Sequence, residues 1–156
     1  MNSTDLQNYI DSNGIAAEIV VLADETPTVA AAAAAVGVQP VQIIKSLLFV
    51  ADGRPFLVVT NGLTRVNRKR LADVLDLSRR RIKIASSEEV ADITGYPVGA
   101  VPPFGHPQPI PTLLDAGVLE QSVVLGGGGA INALMRMTPR TLQQVTSATI
   151  VDVAGQ

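Results

Sequence analysis

The chain of 156 residues contains no cysteine and no tryptophan, and only one histidine. Without cysteine there is no disulfide framework, no thiolate nucleophile and no Cys-ligated zinc or iron–sulfur site. A single histidine excludes a multi-His metal centre, so neither a metal nor a cofactor is expected. Aromatic residues amount to 3%, which leaves the core to aliphatic side chains. Long apolar runs are missing as well: the longest, 29–36, is mostly alanine and far shorter than the roughly 20 residues of a membrane span. The first residues, Met1-Asn2-Ser3-Thr4-Asp5, lack a basic region followed by an apolar stretch, so no secretory signal, no membrane association and a cytoplasmic location are expected.

What is present suits a folded domain. Hydrophobic residues are 47% and charged residues 17%, with mean hydropathy +0.30, which excludes a disordered chain. The length predicts one domain over 1–156. The net charge of −2 conceals an uneven distribution. No Lys or Arg occurs before Lys45, whereas Arg65, Arg68, Lys69, Arg70, Arg79, Arg80, Arg81 and Lys83 crowd together with only Asp73 and Asp76 among them. Such a run is what a solvated helix face and a charged turn give, and it also suits a phosphate backbone.

Periodicity predicts mixed α and β structure. Ser3 or Thr4 caps a helix to Ser12 with Leu6 and Ile10 on one face; 17–23 reads as a strand; Thr26-Pro27 starts an alanine-rich helix that Gly37 ends. A strand over 41–51 is joined by an Asp52-Gly53 turn to a hairpin partner over 56–60. Asn67 caps a helix to Leu75, 81–85 alternates as a half-exposed strand, and Ser86-Ser87-Glu88-Glu89 is a capping box. The Gly- and Pro-rich segment 95–111 is a loop, followed by strands over 111–115 and 121–125, a helix over 139–146 and a strand over 149–153. The fold class expected is α/β of the α+β type, a mixed and mostly antiparallel sheet surrounded by helices.

Three places can hold chemistry. Lys45 lies in Ile43-Ile44-Lys45-Ser46-Leu47-Leu48-Phe49-Val50, where an ammonium is costly unless it snorkels to solvent or faces a cavity with an anionic or carbonyl partner. In the loop from Gly95 to His106, glycine permits close backbone approach and proline fixes conformation, so main-chain N–H groups can be presented to a carbonyl, or the segment is simply a turn. His106 is open to acid–base or structural work. The four glycines 126–129 can bring backbone to a phosphate or ribose, but no P-loop or dinucleotide fingerprint accompanies them, and no GxSxG elbow supports a hydrolase triad.

Ile43-Ile44-Lys45-Ser46-Leu47 and Gly95-x-x-x-Gly99-x-Val101-x-Pro103-x-Gly105-His106, with the Gly-rich C-terminal part, together resemble the YbaK/ProX family, relatives of the editing insertion domain of bacterial prolyl-tRNA synthetase. The likeness runs from Thr28 to Val153 and implies that family's fold. It implies an aminoacyl-tRNA deacylase that cleaves the ester of a mischarged tRNA, tRNA(Pro) carrying Ala, Cys or a related small amino acid, without a protein nucleophile. On that reading Lys45, Gly99 and His106 form the catalytic set. Ala100, Val101, Pro102, Pro103, Gly105 and Gly127 hold the aminoacyl end, and Arg65, Arg68, Lys69 and Arg70 meet the tRNA. The implied partners are the acceptor end of a mischarged tRNA and an aminoacyl-tRNA synthetase. A non-catalytic module that binds tRNA, a nucleotide or a synthetase is the other reading, kept open because Ala100 stands where many relatives have glycine.

Overall fold

The computed structural model describes residues 1–26 and 28–155. Its helices are α1 (Ser3–Ser12), α2 (Val29–Val36), α3 (Arg68–Leu75), α4 (Ser87–Thr94) and α5 (Pro139–Thr146). Its strands are β1 (Ala17–Val21), β2 (Ile44–Ala51), β3 (Arg54–Asn61), β4 (Ile82–Ile84), β5 (Thr112–Asp115), β6 (Val124–Gly127), β7 (Ala133–Met137) and β8 (Thr149–Val151). Polar caps set the helix starts: Asn2, Thr28, Asn67, Ser86 and Thr138 each accept a hydrogen bond from the first turn. Asn2 and Thr28 thus stand as caps where Ser3 or Thr4 and Thr26 were expected, because their side chains are the ones placed to accept from the first-turn N–H groups; Pro27 lies outside the described residues. β2 begins three residues later than its apolar run, because Pro40–Gln42 closes into a 3-10 turn first.

The strands form two sheets. One is antiparallel with order β1-β7-β6; the other is mixed with order β4-β2-β3-β5-β8, where β5 runs parallel to both its neighbours. A parallel bridge, Ile43 to Leu125, joins the sheets next to the start of β2. The β2–β3 hairpin is in register from Ile44↔Asn61 to Ala51↔Arg54, and its Phe49↔Phe56 pair stacks with ring centroids 5.7 Å apart. Alternation sends Ile44, Leu48, Leu57 and Val59 into one core with α1, α4 and the loop, and Phe49, Phe56 and Val58 into a second core under α3. The buried Asp115 carboxylate accepts from the N–H groups of Val153 and Gly117 at 3.0 and 3.1 Å, fixing the chain beyond β8 against β5.

β7 was not expected from the sequence. Its Ala-Leu-Met-Arg-Met is made of good helix formers, and pairing with β1 and β6 on both sides overrides that preference. Among the described residues, no helix is long and apolar enough to cross a membrane.

Candidate active site

β4 covers β2 only from Phe49 to Ala51, so the edge of β2 from Ile44 to Leu48 is left to line a cleft of about 280 Å³. Ile84, Ala85 and Val90 form one wall, Val98, Gly99 and Val101 of the 95–111 loop another, and Gly126, Gly127 and Leu134 close the end towards the smaller sheet. Lys45 and Ser46 bring the polar side chains; no carboxylate is among the described residues that line it. Lys45 is half-buried. Its pKa is held below the ordinary lysine value, first by burial and then by the Arg65 cation nearby.

The loop is held from beneath by the glycine run. A Cβ at Gly127 would stand 2.1 Å from the Val101 carbonyl oxygen, so only glycine permits this approach. The Gly129 N–H donates to the Ala100 carbonyl at 3.0 Å, and the Ser3 hydroxyl donates to the Gly128 carbonyl at 2.8 Å. The close backbone approach seen in the sequence is thus directed at the loop, with Gly127 still reaching the cleft wall. Gly99 has φ +91 and open space around its missing Cβ, so conformation rather than room requires it. Ala100 is fully buried and is not among the residues lining the cleft; its methyl does not narrow that space.

The loop divides the expected site residues. Lys45, Gly99, Val101 and Gly127 meet at one cleft. His106 does not join them: it lines a second cavity of about 310 Å³ with Tyr9, Phe104 and Ile110, and its Nε2 lies 2.8 Å from the Pro102 carbonyl oxygen. Pro103 and Gly105 line that cavity too, and Pro102 is buried inside the loop. Burial holds the His106 pKa below the ordinary value against the opposing pull of the Pro102 hydrogen bond. The loop is seated on α1 by the Tyr9–Phe104 contact, centroids 6.0 Å apart, and is closed on itself by the Tyr96 hydroxyl donating to the Gly105 carbonyl at 3.3 Å.

The basic residues are similarly sorted. Arg68 donates to the Ile82 carbonyl; Arg70 donates to the Ala154 carbonyl at 2.9 Å and pairs with Asp152 at 3.3 Å; Arg81 pairs with Asp52. Arg65 and Lys69 are exposed. Sequence reasoning missed Ser46, Ile84 and Val98 at the cleft; the latter two are 57% and 60% exposed, a departure from burial that only the fold reveals.

A lysine lining an apolar cleft together with a glycine loop is the arrangement expected of the resemblance, and comparison with known proteins decides the family. Residues 23–145 match the aminoacyl-tRNA editing domain. The chain belongs to that family. The editing domain is 41% identical over 100 residues to the proline–tRNA ligase of Bacillus licheniformis, covering 64% of this chain and 17% of the ligase. It therefore spans less than a fifth of that relative. It is 29% identical over 128 residues to the uncharacterized protein YwhH of Bacillus subtilis, covering 81% of this chain and 80% of the other. A crystal structure of a protein proposed to be a trans-editing enzyme for prolyl tRNA synthetase superposes with TM-score 0.92 at 32% identity, covering 99% and 97% of the two chains. The α/β fold of the editing domain is the fold of that structure.

Proposed function

We propose that this editing domain acts over 1–156 as a free-standing aminoacyl-tRNA deacylase on tRNA(Pro) esterified with alanine or a comparably small amino acid. The observation that supports it is the meeting of one half-buried lysine, Lys45, with the glycine loop at a small apolar cleft. In the reaction, water adds to the ester carbonyl, the bond to the ribose oxygen breaks, and that oxygen takes the proton that water releases. The Lys45 ammonium binds an oxygen of the adenosine end or of the ester, and the N–H groups of Gly99 and Val101, which make no hydrogen bond among the described residues, are donors for the developing oxyanion. An ester already held in this geometry needs no protein nucleophile, in keeping with a chain that has no cysteine.

Apolar walls from Ile44, Leu48, Val90 and Val101 suit a short aliphatic side chain. His106, set on the far side of the loop, has a positioning role through Pro102 in this reading rather than a part in proton transfer. Deacylation of alanyl-, cysteinyl-, seryl- and prolyl-tRNA by the wild type and Lys45→Ala tests the proposal. Fastest release of a small amino acid, lost in Lys45→Ala, is expected; retention of mischarged tRNA without turnover would make the protein a binding module instead.

A further inference from the structure

Ser46 lies between Ile44 and Leu48, which share a core with Val90 and Val101, so alternation places it on the side of β2 that faces the cleft walls. Its Oγ is buried and has no hydrogen-bond partner among the described residues. A buried hydroxyl left without a partner is costly, and native proteins rarely keep one without a use. The main chain of Ser46 points the same way. The Leu48 carbonyl accepts from the Ala85 N–H at 2.9 Å on the edge of β2 away from β3, and main-chain groups two residues apart in a strand project from the same edge. At Ser46 the partner strand β4 has already ended, so its carbonyl reaches the cleft unpaired by that strand.

An aminoacyl ester brings one cation, its α-ammonium, into a cleft whose described lining holds no carboxylate. Neutral oxygens must receive it, and next to Lys45 these are the hydroxyl and carbonyl of Ser46. We propose that Ser46 forms the subsite for the substrate's α-ammonium, a reading that rests on the deacylase assignment. The subsite fixes the ester carbonyl relative to Lys45 and the loop, and it favours aminoacyl esters over uncharged acyl esters.

The experiment compares alanyl-tRNA(Pro) with propionyl-tRNA(Pro), in which hydrogen replaces the ammonium, using the full chain and Ser46→Ala. Loss of one hydrogen bond to a charged group predicts a kcat/KM for the alanyl ester lower by roughly ten- to a hundredfold in Ser46→Ala. The propionyl ester is hydrolysed equally by both proteins. The Tm of Ser46→Ala is unchanged or raised by about 2–4 °C, since an unsatisfied buried hydroxyl has been removed. Equal losses on both esters, full activity of the variant on the alanyl ester, or a fall in Tm each overturn the subsite. Failure of the wild type to hydrolyse the alanyl ester removes the deacylase reading itself, a result separable from any effect at Ser46.

Discussion

Lys45 and the basic segment from Arg65 to Lys83 use the same charge in opposite settings. The segment holds eight of the twelve basic residues, yet Arg68, Arg70 and Arg81 are occupied by Ile82, by Ala154 with Asp152, and by Asp52. Those contacts brace α3 and the β2–β3 turn at the protein surface, where charge is cheap and screened. Lys45 is one cation on an apolar strand edge, where burial and the Arg65 charge disfavour its protonated form. Environment, rather than number, distinguishes the two.

Removing the single charge should therefore outweigh any change in the cluster. Lys45→Ala is expected to lower kcat for deacylation by about a hundred- to a thousandfold, the scale of losing one preorganised electrostatic partner. The pH profile sharpens the point. Activity that needs the ammonium falls on the alkaline side, at a pH below the ordinary lysine value because burial and Arg65 lower the pKa. Stability has the opposite sign: the unfolded chain holds that proton more tightly, so stability rises as pH increases through the same window. An alkaline limb unmoved in Lys45→Arg would assign the titration to another group.

Gly127→Ala comes next. The added methyl must displace Val101, with its oxygen 2.1 Å away, and overpacking of this kind costs about 1–3 kcal/mol. Both Tm and activity should drop, because the loop that roofs the cleft is moved. Retained activity at lowered Tm would show that the loop's height above Lys45 does not matter.

The same contrast explains what was legible in the sequence. Lys45 was visible because a charge interrupts an apolar run, and the loop because glycine and proline cluster there; both are local signals. The purpose of the glycine run was not local, since Gly127 answers to Val101 from a different segment. The separation of His106 from Lys45 was hidden for a related reason: it belongs to the same motif as Gly99, but the chain turns between them, and Phe104 and Gly105 are packed onto α1 before His106 is reached. β7 was invisible because its own residues prefer a helix. Ser46 gave a faint signal, a hydroxyl in a buried strand, whose meaning depends on the absence of a partner in the folded state.

Within the basic segment, Lys69 and Arg70 can be set against each other. Lys69 is exposed, and among the described residues it has no ion pair, so Lys69→Glu should weaken tRNA binding and reduce the salt slope by about 1 if it meets a phosphate. Arg70→Ala should instead loosen the chain end at Asp152 and Ala154, read as a lower Tm with the salt slope intact. A common effect of both variants on the salt slope would erase the division between occupied and free cations.

The smallest effect is expected at His106, and its sign separates proton transfer from positioning. Folding lowers its pKa, chiefly by burial, so below about pH 6.5 the unfolded chain takes up a proton that the folded protein resists. Stability is then lost as pH falls through that range, and His106→Asn, which cannot titrate, should lose this part of the acid sensitivity. Deacylation should change less than about tenfold, the cost of one neutral hydrogen bond to the Pro102 carbonyl. A rate that titrates near neutrality in the wild type and vanishes in His106→Asn would put the imidazole in the reaction, and would require the loop to carry it from the second cavity to the Lys45 cleft during turnover.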